Sequence, residues 1–349
     1  MARKTTEIEV QGRRLQLSNL EKVLYPAAGF AKGQVIDYYV RIAPVLLPHL
    51  KDRPLTMKRY PEGVTGMHFY EKNAPSHRPD WVQVAPVWSP GNDRMVNYIL
   101  AQDLPTLVWL ANLADLELHT SLSKHQDMTR PTMLVFDLDP GAPANIVECC
   151  RVGMWVRAIF EELGMKCWAK TSGSKGLQVY VPLNSPATYE QTKPFARAVA
   201  RLLEKHRPDF VVSDMKKALR VGKIFVDWSQ NDDYKTTICV YSLRAKERPT
   251  VSTPVKWEET EATLNQGDAR LLVFDSQQVL ARAEKMGDLF EPVLKLKQRL
   301  PPLEKLEKAV EAVAATGLLA KGKAPAGKSD DPTRATPKEM SKQYKQRRG

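Results

Sequence analysis

Two carboxylates one residue apart close the apolar run Met133-Leu134-Val135-Phe136-Asp137-Leu138-Asp139-Pro140-Gly141. On a strand, alternation sends Asp137 and Asp139 to one face while Leu138 enters the opposite layer. Pro140 and Gly141 then stop the strand with both acids at its mouth. Two like charges so close repel, and a bound divalent cation lets both stay ionised. Asp227, in KIFVDWSQND, again ends an alternating apolar strand, which gives three strand-borne carboxylates for one site. A two-metal phosphoryl-transfer centre needs about that many, with its ions roughly 4 Å apart.

Other accounts of the pair are acids placed for solubility and a phosphatase of the haloacid dehalogenase type. The latter's Asp-x-Asp usually continues with Gly-Thr near the start of its domain, whereas Pro-Gly follows here, deep in the chain. Asp232 and Asp233 sit in a polar turn and read as solvated hairpin charges. In KTSGSKGLQVYVPL, Gly173 and Gly176 permit tight turns that let backbone amides approach an anion, and Ser172, Ser174 and Lys175 add hydroxyls and charge. A strand follows, so this is not a Walker loop. In Tyr241-Ser242-Leu243-Arg244, strand spacing puts Ser242 and Arg244 on one face, where an Arg fork could grip a triphosphate.

The elements that must position these groups are partly visible. TEIEVQGRRLQLSNL alternates around Gln11-Gly12 as a hairpin does. KGQVIDYYVRIAPVLL carries helical spacing, and PLTMKRYPEGVTGMHFYEK reads as strand, turn, strand. Asn145 caps a helix to about Leu163, and Thr188 with Gln191 makes a capping box for another. CWAKT and LQVYVPL read as strands joined by SGSKG, and KIFVDWS and KTTICVYSL as two strands around QNDD. The fold class expected is α/β in the broad α+β sense, with largely antiparallel sheets.

At 349 residues, 43% hydrophobic and 26% charged, the chain is expected to bury a large core as one large domain or two intimate ones. Its net charge of +12 makes polyanions the first partners to consider. Four cysteines without a CxxC pair fit a reducing cytosol, and no stretch reads as a signal peptide or bilayer span. A cytoplasmic protein, at the bacterial nucleoid, with no membrane partner is expected. Residues 301–320 are expected to form a C-terminal helix, and 321–349, rich in Lys, Pro, Gly and Ser, a basic disordered tail.

The ordered set FDLDPG, TSGSKGLQVYVPL, KIFVDWSQN and YSLR resembles the polymerase domain of bacterial DNA ligase D and its stand-alone relatives, in the archaeo-eukaryotic primase superfamily. The similarity runs from about Leu17 to Leu300. It implies a primase-polymerase catalytic domain over 1–300, with a DNA-end-binding part to about 130 and a metal-binding core from about 131. It implies that Asp137, Asp139 and Asp227 hold Mn²⁺ or Mg²⁺, and that Ser172, Lys175, Arg244 and His119 hold an NTP or dNTP. Gln178 stands where the family usually has His, and Thr236 occupies a place near the sugar. Lys22 and Lys32 match lysines that bind a 5′-phosphate at DNA ends or gaps, and Phe69 and Tyr70 match an aromatic pair that meets the template. The implied function is a nucleotidyltransferase in DNA repair, handing its product to a separate ligase, with Ku a possible partner. The competing class is a non-catalytic DNA-end-bridging module.

Overall fold

In the computed structural model, residues 5–89 and 93–320 are described; the expected basic tail lies outside them. The hairpin at Gln11-Gly12 is present, pairing β1 (Thr5–Val10) with β2 (Arg13–Ser18). Short strands β3 (Val23–Tyr25) and β4 (Phe30–Ala31) lead into α1 (Lys32–Leu50). Its buried face of Val35, Ile36, Tyr39, Ile42, Ala43 and Leu46 follows the helical spacing of the sequence.

The next five strands and one helix are β5 (Leu55–Arg59), β6 (Phe69–Glu71), β7 (Val84–Ser89), β8 (Arg94–Ile99), α2 (Leu104–Asn112) and β9 (Asp115–Thr120). After the small hairpin of β10 (Ser123–Lys124) and β11 (Asp127–Pro131) comes β12 (Met133–Pro140), the strand that carries Asp137 and Asp139. Helix α3 (Ile146–Glu162) begins at Asn145, whose side chain accepts from the Val147 N–H. Strands β13 (Trp168–Thr171) and β14 (Leu177–Pro182) flank the SGSKG loop, and α4 (Tyr189–His206) follows, with the Gln191 side chain accepting from the Thr188 N–H. The remainder comprises β15 (Val211–Val212), β16 (Ile224–Asp227), β17 (Thr237–Ile238), β18 (Pro254–Val255), α5 (Trp257–Gln266), α6 (Ser276–Met286), α7 (Glu291–Lys295) and α8 (Leu303–Ala315).

Two sheets organise the molecule. One has the order β17-β9-β5-β8-β7, with β6 also on β5; the other runs β15-β16-β12-β14-β13-β18. Every pairing is antiparallel except β15 with β16, as the mixed α+β expectation requires. One core joins the first sheet to α1 and α2 through Tyr39, Leu46, Leu107 and Leu118. The other joins the second sheet to α3, α4 and α8 through Phe136, Trp155, Phe195 and Val310.

One expectation fails. KIFVDWS and KTTICVYSL are not a hairpin: β16 pairs β12 in the second sheet, while β17 pairs β9 in the first. The chain crosses between sheets through the QNDD turn. Asn231 anchors that crossing, accepting from the Val135 N–H and donating to the Val135 carbonyl. Asp232 is accordingly buried and paired with Lys193 rather than solvated, whereas Asp233 stays exposed.

Candidate active site

A single row of residues crosses four strands of the second sheet. Asp227 on β16 stands opposite Asp137 on β12, Asp137 opposite Gln178 on β14, and Gln178 opposite Lys170 on β13. Residues in register project to the same face, so two carboxylates, an amide and an ammonium lie side by side. Asp139, two residues on from Asp137, shares that face at the strand mouth. The structure thus brings the three predicted carboxylates together.

Electrostatics mark Asp137 as the strained member. Burial, then the charges of Asp139 and Asp227, push its carboxyl up to about 7, against the pull of Gln178 and Lys170. Its Oδ1 is closed to solvent and has no hydrogen-bond partner. Asp139 is also raised, mainly by burial, with Lys175 and Arg220 opposing. An orphaned, buried carboxylate oxygen beside two further carboxylates fits a divalent cation, which would satisfy the oxygen and relieve the repulsion. Among the described residues no three acids or histidines are drawn in to metal-binding distance. Asp227 shows why: its Oδ1 accepts from the Ser229 N–H and hydroxyl, and its Oδ2 from the Gln230 side chain.

The SGSKG loop is stitched from within. Ser172 Oγ accepts from the N–H groups of Ser174 and Gly176, and the Ser172 N–H donates to the Gly176 carbonyl. Gly173 has φ 66°, and a Cβ there would lie 2.6 Å from the Val251 carbonyl carbon. A Cβ on Gly176 would lie 2.5 Å from the Leu138 carbonyl oxygen and 3.6 Å from Asp139 Oδ1. The loop therefore presses against the strand mouth, with Lys175 exposed.

Arg244 arrives differently from the strand expected. Tyr241 takes φ 65°, and an isolated bridge from Leu243 to Val251 replaces regular pairing. Ser242 does not share the Arg244 position: it is fully buried, its Oγ accepting from the Leu118 N–H. Tyrosines clamp the segment instead. Tyr38 donates to the Tyr241 carbonyl, Tyr25 to the Arg244 carbonyl, and Tyr39 accepts from the Leu243 N–H. Arg244 then donates through Nη1 to the Ser172 carbonyl at 2.6 Å, tying itself to the loop.

Glu117, absent from the sequence expectations, links these parts. Its side chain is 2% exposed, and its carboxylate lies 3.1 Å from His119 Nε2, 3.2 Å from Arg244 Nε and 3.6 Å from Lys58 Nζ. It also accepts from the Ala245 N–H. Burial alone would raise its carboxyl, but the His119 hydrogen bond and the charges of Arg244 and Lys58 hold it well below the usual range. The signal was available: Glu117 and His119 are two apart on β9 and share a face. Lys170, fully buried, was also unforeseen. Desolvation lowers its ammonium to about 7, against Asp137, and it donates to Gln178 Oε1 at 2.5 Å and Ser252 Oγ at 2.7 Å.

Of the aromatic pair, Tyr70 meets the same site, while Phe69 lies against Arg59. Phe69 and Tyr70 on β6 are exposed; Lys58 lies over the Tyr70 ring, and Tyr70 meets His119 edge-on at 5.7 Å. Thr237 is buried and accepts from Tyr180, while neighbouring Thr236 is only half-buried. Lys22 and Lys32 lie apart from the carboxylate row, beside the β3–β4 turn. Lys22 pairs with Glu62 at 2.9 Å, and Lys32, 6% exposed, donates to the Ser18 carbonyl at 2.7 Å.

Residues 31–290 match the family described as the LigD primase-polymerase domain. The chain belongs to that family. Over 282 residues it is 40% identical to the multifunctional non-homologous end joining protein LigD of Mycolicibacterium smegmatis, covering 80% of this chain and 36% of that protein. It is 31% identical over 275 residues to the bifunctional LigD of Bacillus subtilis, covering 78% and 43%. It therefore spans less than half of either relative. Among solved structures, the polymerase domain of Mycobacterium tuberculosis ligase D in complex with DNA matches with a TM-score of 0.75 at 38% identity, covering 82% of this chain and 99% of that one. Membership of the LigD primase-polymerase family makes the chain a nucleotidyltransferase. No helix among the described residues is long and apolar enough to cross a membrane.

Proposed function

We propose that the chain is a divalent-metal-dependent polymerase that adds NTPs or dNTPs to DNA primers at gaps or broken ends in repair. The observation that carries this is the opposed pair Asp137 and Asp227 with the orphaned Asp137 oxygen, beside a loop that Arg244 braces. Asp137, Asp139 and Asp227 would hold Mn²⁺ or Mg²⁺. When bound, the ions lower the pKa of the attacking hydroxyl and stabilise charge on the leaving oxygens. Asp227 must exchange contacts with Ser229 and Gln230 to take part.

The chain's own groups align the reactants. The primer 3′-hydroxyl gives its proton to solvent and its oxygen bonds to the α-phosphorus as the bond to the β-phosphate bridging oxygen breaks, and pyrophosphate leaves. Lys175, Arg244 and His119 attract the triphosphate, Ser172 shapes its loop, and Gln178 offers an uncharged amide where the family usually has His. As an ammonium Lys170 donates to Gln178 Oε1, which turns the amide NH₂ the other way along the row. Thr236 would face the sugar, and Phe69 with Tyr70 would stack on the template, which is physically apt because every base offers a face.

Lys22 and Lys32 would take a 5′-phosphate, Lys22 exchanging Glu62 for it. The DNA partner would be a 5′-phosphorylated gap or a double-strand end, with Ku and a DNA ligase activity acting alongside. The catalytic domain would run over 1–300 with its metal-binding core from about 131, a reading supported by the family match over 31–290.

Primer extension with Mn²⁺ or Mg²⁺, comparing wild type with Asp137→Ala plus Asp139→Ala, tests the assignment. Loss of extension in the double variant is expected; unchanged extension leaves only the DNA-end-bridging alternative. Preference for a phosphorylated gap over a blunt end or unprimed strand, lost in Lys22→Ala, assigns the chain to gap repair.

A further inference from the structure

We propose that Asp288 is a positioning residue for nucleotide binding, which aims Arg244 at the triphosphate by fixing Tyr241. The inference rests on the polymerase reading, in which Arg244 meets the triphosphate, and adds a residue remote from the reacting atoms. Tyr241 is the corner at which the chain leaves the first sheet for the SGSKG loop. Before the corner, the Cys239 N–H donates to the Leu118 carbonyl on β9 at 2.8 Å. After it, the Ser252 N–H donates to the Ser242 carbonyl and the Arg244 N–H to the Thr250 carbonyl, while the Thr250 hydroxyl donates to the Gly173 carbonyl of the loop. The corner uses φ 65° at a tyrosine, a backbone that a side chain of this size rarely adopts and that surrounding contacts must hold.

The tyrosine clamp holds backbone atoms around the corner; Asp288 holds the Tyr241 side chain. Asp288 sits between α6 and α7 with its side chain 13% exposed, and its Oδ1 accepts from the Tyr241 hydroxyl at 2.8 Å and the Phe290 N–H at 2.9 Å. Its Oδ2 lies 2.8 Å from Nε2 of His49, in the last turn of α1. Burial alone would raise the Asp288 carboxyl, but the His49 and Tyr241 hydrogen bonds hold it below its usual range, so it stays ionised. A hydroxyl that donates to a carboxylate makes one of the stronger hydrogen bonds in a protein. The end of α1, the α6–α7 link and the left-handed corner thus meet at one buried charge. Three residues beyond the corner, Arg244 donates to the Ser172 carbonyl and its Nε lies 3.2 Å from Glu117. Arg244 hangs on the backbone that the corner aims, so a relaxed Tyr241 would shift the guanidinium relative to the loop.

The test is a double-mutant cycle on the full chain, with NTP affinity read by calorimetry in Mn²⁺ and kcat and KM read by primer extension. Asp288→Asn and Tyr241→Phe are each expected to weaken NTP binding and raise KM about five- to tenfold, with kcat within about twofold of wild type. In an Arg244→Gln background the same changes should have no further effect on NTP affinity, because they act through Arg244. Leu280→Ala, which loosens the same core without touching the Tyr241 hydroxyl, should lower the melting temperature and leave KM unchanged. Should Asp288→Asn fail to fold, Tyr241→Phe, which keeps the ring, decides alone. Wild-type NTP affinity in Tyr241→Phe overturns the inference, as does full additivity with Arg244→Gln or an equal rise in KM from Leu280→Ala. Wild-type protein that binds NTP but never extends a primer would sink the polymerase assignment, while the cycle on NTP affinity still decides the role of Asp288.

Discussion

Asp137 stands directly opposite Asp227 across the β12–β16 pairing, and one Asp137 oxygen is buried without a partner. Two facing acids in a sheet destabilise it, so the arrangement has a thermodynamic signature. The Asp137 carboxyl is pushed from its ordinary value near 4 up to about 7. A carboxyl raised on folding leaves stability intact below pH 4 and removes it progressively as pH rises to about 7, after which the loss levels off. The amount is on the order of 4 kcal/mol. Thermal melts of metal-free protein should fall across that window, Asp137→Asn should shrink the fall to the part that Asp139 contributes, and Mn²⁺ should restore wild type more than the variant.

Glu117 gathers His119, Arg244 and Lys58, so Glu117→Gln should scatter the groups that meet the triphosphate. Removing one partner of a buried ion pair typically costs about 3–5 kcal/mol. KM for NTP is expected to rise at least tenfold while kcat changes less, and Glu117→Asp should recover part of it. Because the Glu117 carboxyl is depressed on folding, its stabilisation is present above pH 4.5 and lost as pH falls below. Acid melts of Glu117→Gln should therefore be flatter than wild type. Equal kcat and KM effects would refute the positioning role.

Gly173→Ala forces a side chain into a left-handed backbone and against Val251. Destabilisation of about 1–3 kcal/mol is expected, together with weaker NTP binding, read by calorimetry at a temperature where the variant remains folded.

Gln178→His should bring a new ionisation into the pH profile of kcat/KM near neutrality, since an imidazole titrates there and an amide does not. Gln178→Leu removes the acceptor of the buried Lys170 and should cost more in stability than the His variant. A wild-type profile with the same neutral ionisation as Gln178→His would contradict this role for Gln178.

Local signals made much of this legible. Alternation and punctuation marked the Gln11-Gly12 hairpin, the α1 face, the Asn145 cap and the β12 acids, because each depends on neighbours in sequence. The failures are long-range. Nothing local says that Ile224–Asp227 and Thr237–Ile238 enter different sheets, or that Tyr241 turns left-handed under a tyrosine clamp. Lys170 looked like one more charged residue beside a loop, since its burial follows from strand register alone. In sequence Glu117 reads as a break in the apolar run LVWLANLADLEL, although its spacing to His119 carries a usable signal.

The central claim is that the three carboxylates hold divalent ions beside a triphosphate site. Mn²⁺ titration followed by electron paramagnetic resonance, with a non-hydrolysable NTP present, addresses it most directly. Two bound ions per chain in wild type, and none at matched concentrations in Asp137→Ala plus Asp139→Ala, is the predicted result. The same number of ions bound by the double variant would contradict the account.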